Sequence, residues 1–60
     1  MQTAIETELL SYQIVDGKIS AVVNKISGRR DPLWEAPAVG RPVAEIEAAL
    51  TDVGCSFERV

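Results

Sequence analysis

The chain has 60 residues, of which 47% are hydrophobic and 25% are charged, and its formal net charge is −3. This composition is ordinary for a globular protein and argues against disorder throughout, while the length allows one domain at most. A single cysteine excludes an internal disulfide, the lack of histidine excludes the common zinc-ligand sets, and the negative charge disfavours binding to nucleic acids or anionic lipids by charge alone.

The first predicted element is a short helix over residues 4–10. Thr3 and Glu6 have the spacing of a capping box, in which each side chain satisfies a backbone N–H at the start of a helix. Ile5, Leu9 and Leu10 would then share one narrow face. Because a helix of this length is not stable alone in water, we expect it to pack against the rest of the chain.

Residues 11–23, SYQIVDGKISAVV, predict a β-hairpin. Asp16 and Gly17 suit a type I′ turn, which needs positive φ at both central residues. Placing Val15 opposite Lys18 gives one apolar face and one mostly polar face. The predicted apolar face consists of Leu10, Tyr12, Ile14, Ile19, Ala21 and Val23.

Residues 24–42, NKISGRRDPLWEAPAVGRP, hold four of the six basic residues, the only tryptophan and all three prolines. In the favoured interpretation the chain turns at SGRR and PLWEA returns beside the hairpin as a third strand, so that Leu33 or Trp34 covers the core. Loop lengths in small domains favour this interpretation over a long loop. In the alternative, the stretch is a partly flexible surface segment that presents its arginines and tryptophan to a partner.

Residues 42–53 predict an amphipathic helix. Its apolar residues, at positions 43, 46, 50 and 53, form one stripe. Pro42 suits the start of the helix, and Gly54 suits a Schellman cap in which Leu50 contacts Cys55. The final segment, CSFERV, predicts a short strand with Phe57 turned inward.

Together these elements predict one small α+β domain over residues 1–60. We expect two layers, in which an antiparallel hairpin or a three-stranded meander packs against the amphipathic C-terminal helix. A short N-terminal helix and a short C-terminal strand complete the predicted fold.

The residue types present do not favour catalysis. Without histidine, the commonest general base and every Ser-His or Cys-His pair are missing. Cys55 follows a predicted helix C-terminus, where the helix dipole disfavours a thiolate, so we expect a packed structural cysteine. The four glycines are scattered and form no phosphate-binding loop. We therefore expect a non-enzyme with no metal and no cofactor.

Because the residue types disfavour catalysis and metal or cofactor binding, binding to another protein is the favoured function. Tryptophan and arginine are the residue types most enriched in binding hot spots, and an arginine can stack on an exposed Trp34 ring. The candidate partner-binding residues are Lys25, Arg29, Arg30 and Trp34 in the basic stretch, and Glu45 and Asp52 on the outer face of the second helix. We expect an adaptor or inhibitor; in a more specific version, the acidic face occupies a groove for nucleic acid, as in a phage-type anti-defence inhibitor.

Two other functions stay open at this stage. A homo-oligomeric structural or regulatory subunit, such as a homodimer, would join through an unpaired hairpin edge or the terminal strand. Weak nucleic-acid binding would use the four residues of the basic stretch, but the net charge and the interrupting Asp31 and Glu35 disfavour it.

The location expected from the sequence is the cytoplasm. The chain lacks the spaced cysteines of a disulfide framework, and its N-terminal residues lack the basic start of a signal peptide. No apolar run has the length of a membrane span, so we expect no membrane association.

Overall fold

A four-stranded antiparallel sheet and two helices make up the computed structural model, which describes residues 2–60. The strands are β1 (Ala4–Glu6), β2 (Leu10–Val15), β3 (Lys18–Asn24) and β4 (Glu58–Arg59), and they lie in the order β3-β2-β1-β4. The helices α1 (Pro32–Ala38) and α2 (Val43–Asp52) come between β3 and β4 in the chain. The α+β class is confirmed. Within residues 2–60, neither helix combines the length and the apolar character needed to cross a membrane.

The hairpin of β2 and β3 has the predicted turn. Asp16 and Gly17 have φ values of 54° and 75°, as a type I′ turn requires. Val15 pairs with Lys18, as predicted, but the register then shifts because Ser20 has no partner in β2. A β-bulge of this kind places one extra residue in one strand and changes which side chains share a face.

The bulge reverses the predicted faces of β3 beyond Ser20. Tyr12 pairs with Val22 instead of Ala21, and Leu10 pairs with Asn24 instead of Val23. Val22 is therefore completely buried, whereas Ala21 and Val23, which the sequence placed on the apolar face, are only half-buried on the opposite face. The sequence carried no glycine at this position to signal the bulge.

The predicted N-terminal helix is wrong, because residues 4–6 form strand β1. Ile5 pairs with Tyr12 of β2 on one side and with Arg59 of β4 on the other, and its side chain is completely buried. A short isolated helix cannot compete with two neighbouring strands that satisfy the same backbone groups and bury Ile5. Glu6 makes no capping box; its side chain lies 3.5 Å from the Lys25 ammonium.

The connection from β1 to β2 is a tight turn. The Thr7 backbone N–H donates to the Leu10 carbonyl at 2.8 Å, and the Leu10 N–H donates to the Thr7 hydroxyl oxygen at 3.0 Å. The threonine side chain thus satisfies a backbone group at the turn, as threonines often do.

The predicted strand at PLWEA is also wrong, because these residues form helix α1. Asp31 caps the helix by accepting a hydrogen bond from the Leu33 N–H at 3.2 Å, and Pro32 occupies the first turn, where its missing N–H has no cost. The chain does turn at SGRR, but Arg30 makes only a single β-bridge, to Val23, before the helix begins.

Residues 29–41 cover the outer edge of β3. The Val22 N–H donates to the Glu35 carboxylate at 3.1 Å, and the Val22 carbonyl accepts from the Asp31 N–H at 2.9 Å. Similar bonds join Ile19 to Gly40 and Arg41, and Asn24 to Arg29. This edge of the sheet therefore offers few free backbone groups to another strand.

Helix α2 ends as the sequence predicts. The Cys55 N–H donates to the Leu50 carbonyl at 2.8 Å, and the N–H of Gly54, whose φ is 73°, donates to the Thr51 carbonyl at 3.0 Å, which together make a Schellman cap. Val53, predicted to lie in the apolar stripe, is 76% exposed because the backbone has left the helical conformation at this residue.

The core combines residues from the sheet and both helices. Its buried members are Ile5, Tyr12, Ile19, Val22, Ala38 and Leu50. The half-buried apolar residues packed against them are Leu10, Ile14, Val43, Ile46, Cys55 and Phe57.

Two glutamates connect the helices to opposite edges of the sheet. Glu35 of α1 accepts from the Arg30 Nε at 2.7 Å as well as from the backbone of Val22 at the β3 edge. Glu47 of α2 accepts from the Arg59 Nε at 2.7 Å and Nη2 at 3.2 Å, at the β4 edge. The hydrogen bond from Arg30 lowers the pKa of Glu35, and the hydrogen bond from Arg59 lowers the pKa of Glu47.

The bulge predicts opposite sensitivities for two adjacent valines. Val22→Ala should lower the free energy of unfolding by about 2 kcal/mol because it empties a buried site. Val23→Ala, the matched control, should lower the free energy of unfolding by clearly less, because the Val23 side chain is half-buried on the other face of the sheet. Chemical denaturation measures both values, and a larger cost at Val23 would show that the bulge is absent.

The two glutamates predict a loss of stability in acid. Because their pKa values are lowered in the folded state, their contribution is complete above the unfolded glutamate pKa, about 4.3, and is lost as the pH falls through the folded values. The melting temperature should therefore fall below about pH 4.3. The double variant Glu35→Gln, Glu47→Gln should have a lower melting temperature at pH 7 and a shallower fall in acid.

The control for this experiment is Glu45→Gln, since Glu45 is exposed on α2 and touches neither sheet edge. It should leave the melting profile close to that of the original protein. If the double variant also keeps the original profile, the two glutamates do not connect the helices to the sheet in solution.

Candidate interaction surface

Helix α1 turns Glu35 and Ala38 inward and its large apolar residues outward. Ala38 is 4% exposed and Glu35 is half-buried, so these two residues face the sheet. Leu33, Trp34 and Pro37 lie on the rest of the circumference and are exposed. This is the reverse of an ordinary surface helix, in which the apolar stripe faces the core. We call Leu33, Trp34 and Pro37 the α1 surface.

The exposure of this surface is large for its residue types. Leu33 is 77% exposed and Trp34 is 48% exposed. Single exposed apolar residues are normal, but adjacent large ones on a short helix are typical of contact sites. The sequence left open whether Trp34 belongs to the core or to an interface; half of its surface faces solvent, and it is not part of the buried cluster.

The basic residues predicted to bind a partner differ in what they contact. Lys25 lies 3.5 Å from the Glu6 carboxylate and donates to the Thr7 carbonyl at 3.0 Å. Arg30 is hydrogen-bonded to Glu35. Within residues 2–60, Arg29 makes no ion pair with a carboxylate, so its charge is available to a partner.

The stacking of an arginine on Trp34 is not found in the part of the chain that the structure describes. The cation–π contact there joins the Arg59 guanidinium to the Phe57 ring, at 5.9 Å from the ring centre. The contact is local to β4, since the two side chains are two residues apart on one face of a strand.

The acidic residues predicted on the second helix lie on the exposed side of α2. Glu45 and Asp52 are both exposed, and so are Ala48 and Ala49 between them. Glu45 is 3.9 Å from the Arg41 guanidinium, a distance at which an exposed pair contributes little. This face therefore presents two exposed carboxylates separated by small side chains.

A concave surface of about 690 Å³ lies where the β1–β2 connection meets the segment between α2 and β4. It is lined by Glu6, Thr7, Glu8, Lys25 and residues 54–58. Cys55 is half-buried in its wall, with its sulfur 3.7 Å from the Ser56 carbonyl oxygen.

Burial, and secondarily the nearby Cys55, raises the pKa of Tyr12. Across residues 2–60, no three side chains of the histidine, cysteine or acidic types are grouped to hold a metal ion.

The structure brings only some of the predicted residues together. Arg29, Arg30 and Trp34 follow one another along the outer side of β3, while Lys25 turns towards the β1–β2 connection. Glu45 and Asp52 form a separate face on α2. The predicted strand placed Leu33 or Trp34 over the core, but both are exposed; the local signal that would have corrected this is Asp31 followed by Pro32, which predicts a helix start.

No protein-family model, curated protein or solved structure matches the chain. The function must therefore be inferred from the surfaces of this protein.

Proposed function

We propose that this protein is a small non-catalytic protein-binding module, an adaptor or inhibitor, whose α1 surface docks into an apolar socket on its partner. The observation that carries the proposal is the exposure of Leu33 and Trp34, at 77% and 48%, on one short helix. A protein of this size has few large apolar residues to spare for its surface.

The contacts within α1 support binding at low entropic cost. Asp31 caps the first turn of the helix, and Glu35 connects the helix to the backbone of Val22. The helix is thus held in place before a partner arrives, which reduces the ordering cost of association. Complete burial of a leucine-sized side chain contributes about 1.5–3 kcal/mol, so Leu33 and Trp34 would supply part of the free energy of binding and the surrounding contacts the rest.

The charges beside α1 indicate the chemistry of the partner. Arg29, close to the start of the helix, is exposed and makes no ion pair with a carboxylate within residues 2–60, whereas Arg30 is already paired with Glu35. A partner whose apolar socket is bordered by carboxylates would match this arrangement. Such complementarity mainly increases the association rate and the specificity of binding.

Substitution at Leu33 tests the α1 surface. Leu33→Asp should abolish capture of the partner from native cell extract while the fold is retained, because the side chain is exposed and makes little contribution to stability. Val53→Asp is the matched control: Val53 is 76% exposed at the end of α2, and capture should persist. Circular dichroism verifies the fold of both variants. Equal capture by the original protein and by Leu33→Asp would refute the role of the α1 surface.

The acidic face of α2 supports a more specific version of the proposal. Glu45 and Asp52 project from one exposed side of α2, separated by small alanines, as would suit contact with a basic groove. In this version the protein is an inhibitor of a nucleic-acid-handling complex, as in phage-type anti-defence proteins, and its acidic face occupies the groove that otherwise holds nucleic acid.

Charge reversal tests the inhibitor version. The double variant Glu45→Lys, Asp52→Lys should lose binding to such a complex, with the loss measured by capture followed by competition with nucleic acid. The single variant Glu8→Lys reverses one charge at an exposed residue outside α2 and should keep binding, whereas the single variant Glu45→Lys should already weaken it. Unchanged binding by the Glu45 and Asp52 variant would exclude this version and leave the α1 proposal intact.

Two alternatives have less support. A homo-oligomer joined through the hairpin edge would have to displace residues 29–41 from β3, and one joined through the terminal strand would bring the Glu58 carboxylates of two copies together. Direct nucleic-acid binding through the basic stretch is weakened because Lys25 and Arg30 already contact Glu6 and Glu35. A binding module for another protein is more consistent with these contacts.

A further inference from the structure

The two edges of the sheet differ in whether their backbone groups have hydrogen-bond partners. The outer edge of β3 is bonded to residues 29–41 and to the Glu35 side chain. The other edge is β4, and within residues 2–60 no further strand lies beyond it. A free edge presents unpaired N–H and C=O groups that another strand can join.

The pairing of β4 with β1 fixes which of its backbone groups are free. Ala4 and Val60 exchange two hydrogen bonds, at 3.2 and 2.9 Å. Because hydrogen-bonded pairs alternate along an antiparallel ladder, Glu58 also points its backbone groups towards β1, where it lies opposite Glu6. The N–H and C=O groups of Arg59 therefore point to the free edge, and by the same alternation so do those of Phe57.

Side chains hold this edge in place. The Arg59 guanidinium makes two hydrogen bonds with Glu47 of α2, at 2.7 and 3.2 Å. It also lies over the Phe57 ring, which packs against the core. A strand that is already ordered loses little entropy when a partner strand adds to it.

The charges beside the edge are predominantly negative. Glu58 lies directly opposite Glu6, and like charges in such a cross-strand position repel. Glu8 lines the same concave surface, in whose lining the one basic residue, Lys25, pairs with Glu6, while Glu58 makes no ion pair within residues 2–60. A basic side chain brought next to Glu58 would relieve this repulsion.

We propose that the β4 edge accepts an extended, basic segment of a partner protein as an additional antiparallel strand. The segment residue that pairs with Arg59 would lie on the face of the sheet that carries Phe57 and Arg59, where an apolar side chain fits. The next residue would lie opposite Glu58 and would be lysine or arginine. This is the strand-addition mode of peptide recognition, in which backbone bonds give affinity and alternate side chains give specificity.

A second copy of the chain fits this edge less well than a basic segment. Twofold pairing of β4 with its copy would bring a second Glu6 and Glu58 close to the first pair and add to the repulsion. The proposal does not depend on the α1 surface, since α1 lies beside β3 at the other edge of the sheet.

The test uses an acetylated and amidated eight-residue peptide of alternating lysine and valine, added to the full chain and followed by NMR. The peptide should shift the Arg59 amide resonance and slow its hydrogen exchange. The same peptide with every valine N-methylated keeps the charges but loses the bonding edge, and a glutamate–valine peptide reverses the charges; neither should bind.

Variants of the protein test the position of the site. Glu58→Gln should weaken binding of the lysine–valine peptide about two- to five-fold, as expected for one exposed ion pair. Glu45→Gln, the matched control on α2, should leave the affinity unchanged. Leu33→Asp should also leave it unchanged, so failure of this proposal and failure of the proposed function would be seen in different experiments.

Two results would overturn the proposal. Equal binding of the N-methylated peptide would show attraction by charge alone, without an added strand. Protection of the Arg59 amide without peptide, together with a dimer in sedimentation, would show that a second copy occupies the edge.

Discussion

The hydrogen bonds of the Val22 backbone determine how helix α1 is placed against the sheet. The N–H of Val22 is held by the Glu35 carboxylate and its carbonyl by the Asp31 N–H, while its side chain fills the core. These bonds close the edge of β3 and fix the rotation of α1 about its own axis. With Glu35 and Ala38 turned to the sheet, Leu33 and Trp34 have no place except the outside. The candidate surface is thus a consequence of how the sheet edge is covered.

The protein holds this fold with a small buried apolar area and, within residues 2–60, without a disulfide. Among residues 2–60, Ile5, Ile19 and Val22 are the only large side chains that are buried completely. The pairs formed by Glu35 and Glu47 with arginines act at opposite edges of the sheet, where a small core gives the least support. Because a chain of this length buries a modest fraction of its surface, polar contacts at the edges carry more of the structural specificity than they would in a larger domain.

What could be predicted from the sequence follows the range of the interactions. The turn at Asp16 and Gly17 and the cap at Gly54 depend on local backbone preferences, and both were predicted. Strand β1 was missed because one of its two partners, β4, is distant in the chain, whereas the misleading capping-box pattern is local. The bulge at Ser20 follows from packing and left no sequence signal. For the candidate surface, Arg29, Arg30 and Trp34 were named in advance and are exposed, but their segment was taken for a strand in which Leu33 or Trp34 would cover the core.

The pairing of β1 with β4 has a consequence for biosynthesis. Ile5 leaves the ribosome early, yet its neighbour Arg59 is made only after both helices. Until then β1, β2 and β3 form a three-stranded meander in which the outer edge of β1 is unpaired and Ile5 is incompletely buried. Closing a contact between such distant residues is entropically costly and slow. Docking of β4 is therefore the step that completes the cover of Ile5 and closes this side of the sheet.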